Sequence, residues 1–325
     1  MKILIVKTSS LGDLFHALPA VHNLKVKTGA TIHWVTNRPY AELVKCFRDV
    51  DRVISFPRDS FFSHARAFLK DLRAEEYDLI LDMQGLLRSA LVARLARGPK
   101  RIGPSFHREG ASAFYDAVAG PRNKNRHAVD ENMDFIDHLG LERIPPEFPV
   151  SFPKKELDAV RPRVAFLPKS RWATKNWPPA HFAEVARRLR EEKHASLFLL
   201  GSADSVPECR EIERAVGGDV VNLTGTTSLV EMGSVLTEMA LLIASDSGPV
   251  HMAAAVGTPA LVVFGPTDAV RTGPYGPAHR TVSAQIRCQP CLSRTCREGD
   301  VPCLRGVSPK WVGDIALELL GKPAG

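Results

Sequence analysis

The sequence predicts an α/β protein built from two doubly wound domains, each a parallel sheet covered by helices. Three observations carry that expectation. Short apolar runs alternate with longer stretches of helical period along the whole chain; a proline-rich break occupies 144–163; and a fresh apolar run then restarts the alternation. Strands separated by helices pack as parallel sheets with right-handed crossovers. A length of 325 residues suits two such domains.

The elements follow in order. Residues 2–7 open with Ile3-Leu4-Ile5-Val6, an unbroken apolar run of the kind found in strands buried on both faces. A small-residue turn leads to a helical pattern over 13–27. Further strands are expected at 31–36 (TIHWVT) and 79–82, with helices at 64–74, 86–96 and 128–139. The stretch IPPEFPVSFPKKELDAVRPR then holds five prolines and no strand–helix unit, and reads as a linker. Beyond it, strands are expected at 163–167, 196–200, 241–244 and 260–264, and helices at 180–193, 206–216, 228–238, 249–256 and 309–320. The domains are set at 1–155 and 156–308, opposed across a cleft, with the C-terminal helix 309–325 packing back on the first. Such sheets bind ligands at the carboxyl ends of their strands, which directs attention to the loops there.

Composition narrows the function. The chain is 44% hydrophobic and 24% charged, as in an ordinary globular protein. Its net charge of +7 suits an acidic partner, but the basic residues lie along both halves. The sharpest local excess is over 97–126, without the continuous basic surface and aromatic platforms of a nucleic-acid protein. No apolar stretch reaches the roughly 18–20 residues of a membrane span, and the N-terminus has no leader pattern. A cytoplasmic protein, at most touching a membrane surface, is expected, and its six cysteines are then reduced or metal-bound.

Two loops of the second half are suited to phosphate. In IASDSGPVHMAAAVGTP a strand ends in Ser245-Asp246-Ser247-Gly248 and Pro249 opens a helix. Exposed amides of such a first turn bind anions, with Ser247 and His251 adding side-chain donors. In LPKSRWATKNWPPAHFAE, Lys169, Ser170, Arg171 and Lys175 fill the loop after the first strand of the same domain. A capped helix and a basic surface loop are the plain readings of each alone; together, on one domain, they place a nucleotide there.

The turn KTSSLGDLFHALPA poses the opposite case. It has one glycine where a dinucleotide fold would carry several, and Asp13 would repel a phosphate. Either Asp13 caps the helix that follows, or it serves chemistry on a neutral group.

With these motifs, and with DMQGLLRSA (82–90) and FGPTD, the chain resembles the ADP-heptose lipopolysaccharide heptosyltransferases from end to end. The resemblance implies the two-domain GT-B fold and an inverting glycosyltransferase moving L-glycero-D-manno-heptose from ADP-heptose to the lipopolysaccharide inner core, either Kdo-lipid A or heptosyl-Kdo-lipid A. It implies that Asp13 is the general base of a single displacement and that no cofactor is needed for catalysis. Donor binding falls on Ser170, Arg171, Lys175, Asn222, Asp246, Ser247, Gly248 and His251. Acceptor binding falls on Ser10, Gly12, His16, Gln84, Arg88 and Arg108. A nucleotide-sugar epimerase, or a nucleotide-sugar-binding protein without catalysis, remains an alternative on the same architecture.

Cys288, Cys291, Cys296 and Cys303 lie close together in a loop containing glycine and proline. The spacing suits a tetrahedral structural zinc or iron, with unligated thiols as the other reading.

Overall fold

The computed structural model describes residues 1–123 and 125–321. The chain divides into two compact units, Met1–Ser151 and Phe152 onward.

The first unit holds six parallel strands, β1 (Lys2–Val6), β2 (Thr31–Asn37), β3 (Arg52–Phe56), β4 (Leu79–Asp82), β5 (Arg101–Pro104) and β6 (Ala117–Ala119), in the order β3-β2-β1-β4-β5-β6. Five helices accompany them: α1 (Leu11–Thr28), α2 (Ala41–Val44), α3 (Phe61–Leu72), α4 (Leu87–Leu95) and α5 (Ala128–His138). Ile3 to Val6 of the central β1 are wholly buried, which accounts for their unbroken apolar run. In register, Ile5 lies between Trp34 of β2 and Leu81 of β4. Helices α3 and α4 cover one face, where Phe68, Leu72, Val92 and Ala93 meet Leu4, Val6, Ile54 and Phe56 of the sheet.

The second unit repeats the plan with β7 (Arg163–Leu167), β8 (Ser196–Leu199), β9 (Val220–Asn222), β10 (Leu241–Ser245), β11 (Ala260–Val263) and β12 (Arg280–Val282), in the order β12-β11-β10-β7-β8-β9. Its helices are α6 (Pro179–Lys193), α7 (Val206–Val216), α8 (Leu229–Leu236), α9 (Gly248–Ala255), α10 (Ala269–Thr272), α11 (Pro302–Arg305) and α12 (Pro309–Gly321). Helix α12 buries Val312 and Ala316 in the core of this unit, and Arg188 of α6 pairs with its Asp314 at 2.7 Å. That corrects the expected packing of 309–325 on the first domain for the described part of the helix; residues 322–325 lie outside the described residues. The cause is the apolar face of α12, which packs on α6 and on strands β10 and β11.

All seven expected strands and nine expected helices are present, with ends shifted by a few residues. Strands β3, β5, β6, β9 and β12, and the four-residue helices α2, α10 and α11, were not foreseen. They are short, and several carry Arg, Gly or Pro among few apolar residues.

Candidate active site

Both sheets reverse direction of construction at one point: between β1 and β4 in the first unit, between β7 and β10 in the second. Loops at the carboxyl ends of strands flanking such a switch point form the natural ligand site of an open α/β sheet. Every one of the four loops there carries a motif singled out in the sequence.

In the first unit the loop after β1 delivers Asp13. Helix α1 starts at Leu11 with Ser10 as its N-cap, so Asp13 sits at the third helical position and not at the N-cap itself. One carboxylate oxygen accepts from the Ser10 amide at 2.7 Å and from the Ser10 hydroxyl at 2.8 Å. That reciprocal box fixes the side chain while 43% of it stays exposed, leaving the second oxygen open to a substrate. His16, one turn on and buried, approaches that second oxygen at 3.9 Å and stacks edge-on against His127, 5.4 Å between ring centres. Across the switch point, Gln84 uses its side-chain oxygen to accept from the Thr8 and Ser9 amides at 3.1 and 2.9 Å, tying the two loops together. Ser10, Gly12, Asp13, His16 and Gln84 are thus gathered in one place. Arg88 lies elsewhere, on α4, lining a groove with Phe56 and Leu91. Arg108 is exposed in the loop after β5, its amide donating to the Gly85 carbonyl at 2.8 Å.

Beneath this surface lies a charged layer that sequence reasoning missed. Lys7 is 4% exposed and donates to the Met83 carbonyl at 2.6 Å. Burial lowers its pKa, against the opposing pull of Asp13, Asp82 and Glu131. Asp82, wholly buried, accepts from the hydroxyls of Tyr115 (2.7 Å) and Ser89 (2.8 Å) and from the amides of Gln84 and Gly85 (2.9 and 3.1 Å). Burial raises its pKa, and these hydrogen bonds oppose the rise. The four donors to Asp82 shape the turn that presents Gln84. The only sequence signals were a lysine and an aspartate at the ends of apolar strands, where charge is unusual.

In the second unit the loops after β7 and β10 meet. Lys175 pairs with Asp246 at 2.7 Å, both largely buried, and the Thr267 hydroxyl donates to the same carboxylate oxygen at 2.5 Å. The Lys175 ammonium lies over the Trp172 ring at 4.8 Å, with Arg294 over the same ring at 4.9 Å. Ser245 locks the two loops: its hydroxyl donates to the Pro168 carbonyl at 2.8 Å and accepts from the Trp177 amide at 3.1 Å. Ser247 is the N-cap of α9 yet makes no capping hydrogen bond, and its buried hydroxyl has no partner among the described residues. An unspent hydroxyl beside the first-turn amides from Gly248 is suited to an anion. His251 is buried one turn further along α9. The Ser170 amide donates to Asn176 Oδ1 at 2.7 Å, and Arg171 is exposed. Asn222 stands apart at the end of the edge strand β9, engaged with Glu213 (2.8 Å) and with the Thr224 amide (3.1 Å). Trp172 and Arg294 belong with the loop, and neither was expected there.

The structure does not support the expected metal centre on the four cysteines. Cys288 and Cys291 are exposed, Cys296 half-buried and Cys303 buried within the second core. Burial, and then the neighbouring Cys288, Cys291 and Cys296, push the Cys303 thiol above its ordinary pKa. Among the described residues no three His, Cys, Asp or Glu side chains come together so as to hold a metal ion. Helix α11 carries Cys303 into the core, where Leu304 and Val307 are buried with it.

A family model for glycosyltransferase family 9 (heptosyltransferase) matches residues 65–301. The chain belongs to glycosyltransferase family 9. It is therefore a glycosyltransferase of the heptosyltransferase kind. Lipopolysaccharide heptosyltransferase 1 of Pseudomonas aeruginosa is 32% identical, over 91% of this chain and 87% of that protein. The solved E. coli heptosyltransferase WaaC with ADP is 26% identical, covers 98% of this chain and 100% of its own, and superposes with a TM-score of 0.81. The same enzyme with ADP-2-deoxy-2-fluoro heptose superposes at 0.77 with 26% identity, covering 98% of this chain and 99% of its own. The fold is accordingly GT-B, two Rossmann-like domains in one chain, and family membership favours transfer over the epimerase alternative.

Proposed function

We propose that this family 9 enzyme transfers L-glycero-D-manno-heptose from ADP-heptose to the lipopolysaccharide inner core, with Kdo-lipid A or heptosyl-Kdo-lipid A as acceptor. The observation that carries the reading is the pairing of two unlike switch-point sites. One presents an open carboxylate among small residues, the other a buried ammonium beside an unspent hydroxyl and a helix N-terminus. A single displacement with inversion needs that division: a base for the incoming hydroxyl and cationic support for the departing diphosphate. Relatives named for lipopolysaccharide heptosyltransferase 1, and a relative solved with ADP and an ADP-heptose analogue, support the donor and acceptor classes.

Asp13 is the general base. Its free oxygen takes the proton of the acceptor hydroxyl as the hydroxyl oxygen bonds to the anomeric carbon, while the carbon–oxygen bond to the β-phosphate breaks and ADP leaves with the electron pair. Ser10, Gly12, His16 and Gln84 shape the acceptor site, and Arg108, whose amide is tied to Gly85 beside Gln84, meets its carboxylates or phosphates. Lys175, held by Asp246, stabilises the charge that grows on the leaving diphosphate. Ser170, Arg171, Ser247, Gly248 and His251 complete the phosphate cradle, and Asn222 lies toward the adenosine. Catalysis needs no cofactor in this scheme. The enzyme works at the cytoplasmic face of the inner membrane, in peripheral contact with it. Acceptor-dependent release of ADP from ADP-heptose tests the reading; release independent of both Kdo-lipid A and heptosyl-Kdo-lipid A, or binding without release in the presence of either, would refute it.

A further inference from the structure

A groove of about 540 Å³ opens on the first unit between α3 and α4. Its cause is topological. Helix α3 packs on β3 and α4 on β4, and two strands separate β3 from β4 in the sheet. Three strand spacings amount to about 14 Å, whereas packed helices sit about 8–10 Å apart. The gap is floored by Phe56, Phe61, Phe68 and Val92 and walled by Leu91 and Leu95.

The surroundings are apolar and basic at once. Leu87, Leu91 and Leu95 recur every fourth residue on the outer face of α4 and are 38, 41 and 42% exposed. Phe62 at the start of α3 is 97% exposed. Arg58, Arg88 and Arg94 rim the groove, and Arg66 lies one turn beyond Phe62. Asp59 is the acidic member of the rim, 3.9 Å from Arg58. Arg66, Arg88 and Arg94 make no ion pair or side-chain hydrogen bond among the described residues. Among those residues, too, no helix is long and apolar enough to cross a membrane.

We infer that this face docks the protein on an anionic lipid bilayer, with Phe62 and the α4 leucines in the interface and a lipid acyl chain in the groove. Charge decides the occupant. A two-fold contact between copies of this chain would bring the same arginines against each other. Anionic headgroups instead neutralise them, while the apolar ridge enters the boundary between headgroups and chains. The inference gives a surface to the membrane contact proposed above. It stands apart from the donor and acceptor chemistry, because bare vesicles contain neither.

The test is co-sedimentation of the full chain with vesicles of phosphatidylglycerol and phosphatidylethanolamine, and with vesicles of phosphatidylcholine alone. Wild-type protein should bind the anionic vesicles at least about tenfold more strongly than the neutral ones, and weaken as salt is raised. The double variant Phe62→Ser/Leu91→Glu should lose about tenfold or more, with its circular dichroism unchanged. Arg66→Glu/Arg94→Glu, at exposed positions, should lose as much and carries the test if the first variant misfolds. Equal binding of wild type and arginine variant, or equal binding to both vesicle types, would overturn the inference. So would a wild-type dimer broken by Phe62→Ser/Leu91→Glu in a protein that ignores vesicles, since the face would then be a self-interface.

Discussion

Asp13 has two roles that substitution can separate. Its carboxylate closes the box at the start of α1, and in the proposed mechanism it also takes the acceptor proton. Asp13→Asn keeps the size and an oxygen for the Ser10 amide but cannot serve as a base. It should lower kcat by about 10²–10⁴ with melting temperature and ADP affinity close to wild type. Loss of ADP affinity with kcat retained would remove Asp13 from the role of base. Lys175→Ala should weaken ADP binding and lower kcat as well, since the ammonium serves a charge that grows in the transition state; an unchanged calorimetric titration would exclude it from the site. His279 offers a pH signature. Burial lowers its pKa to about 4, and its Nδ1 accepts from the Ala260 amide, which requires the neutral ring. In the unfolded chain the imidazole takes its proton near its ordinary pKa, so the unfolded state binds the extra proton first. Stability should therefore fall as pH drops from about 6.5 toward 4, by at most about 3 kcal/mol from this group. Urea titrations of His279→Gln across that range should show a correspondingly flatter pH dependence.

Elements decide how much of the site was legible. Strands β1, β7 and β10 announce themselves because burial on both faces demands unbroken apolar runs, and the motifs that follow them stand where the chain turns. Strand β5 hides, since Arg101-Ile-Gly-Pro reads as a turn until β4 and β6 pair with it. The Lys7–Asp82 layer was also hidden, because burying a charge is possible only where partners distant in sequence converge. Arg294 reaches Trp172 only because Thr174 holds the Ser293 carbonyl at 2.9 Å, a tie no local pattern signals. The cysteine spacing does not reveal that α11 carries Cys303 into the core. At the β4–α4 turn, Gly85 has φ of +72°, and a Cβ there would come within 2.8 Å of Pro104 Cγ and 3.2 Å of the His107 Cα. Gly85→Ala should cost about 1–3 kcal/mol, read as a lower urea midpoint with an unchanged m-value, and should impair acceptor use through Gln84 more than ADP binding.

For the whole molecule, each unit carries its own hydrophobic core, and the donor residues all lie from Phe152 onward. The second unit produced alone should fold and bind ADP within about tenfold of the full chain, yet transfer nothing, because the proposed base is in the first. Calorimetry on residues 152–325 checks this, and a fragment that folds but ignores ADP would place essential donor contacts in the first unit. The central claim is acceptor-dependent heptosyl transfer. Its most direct test is ADP release from ADP-heptose by the full chain, with and without Kdo-lipid A and heptosyl-Kdo-lipid A, alongside Asp13→Asn. Release should require one of these acceptors and fall about 10²–10⁴-fold in the variant; release independent of both acceptors, or undiminished by Asp13→Asn, would contradict the account.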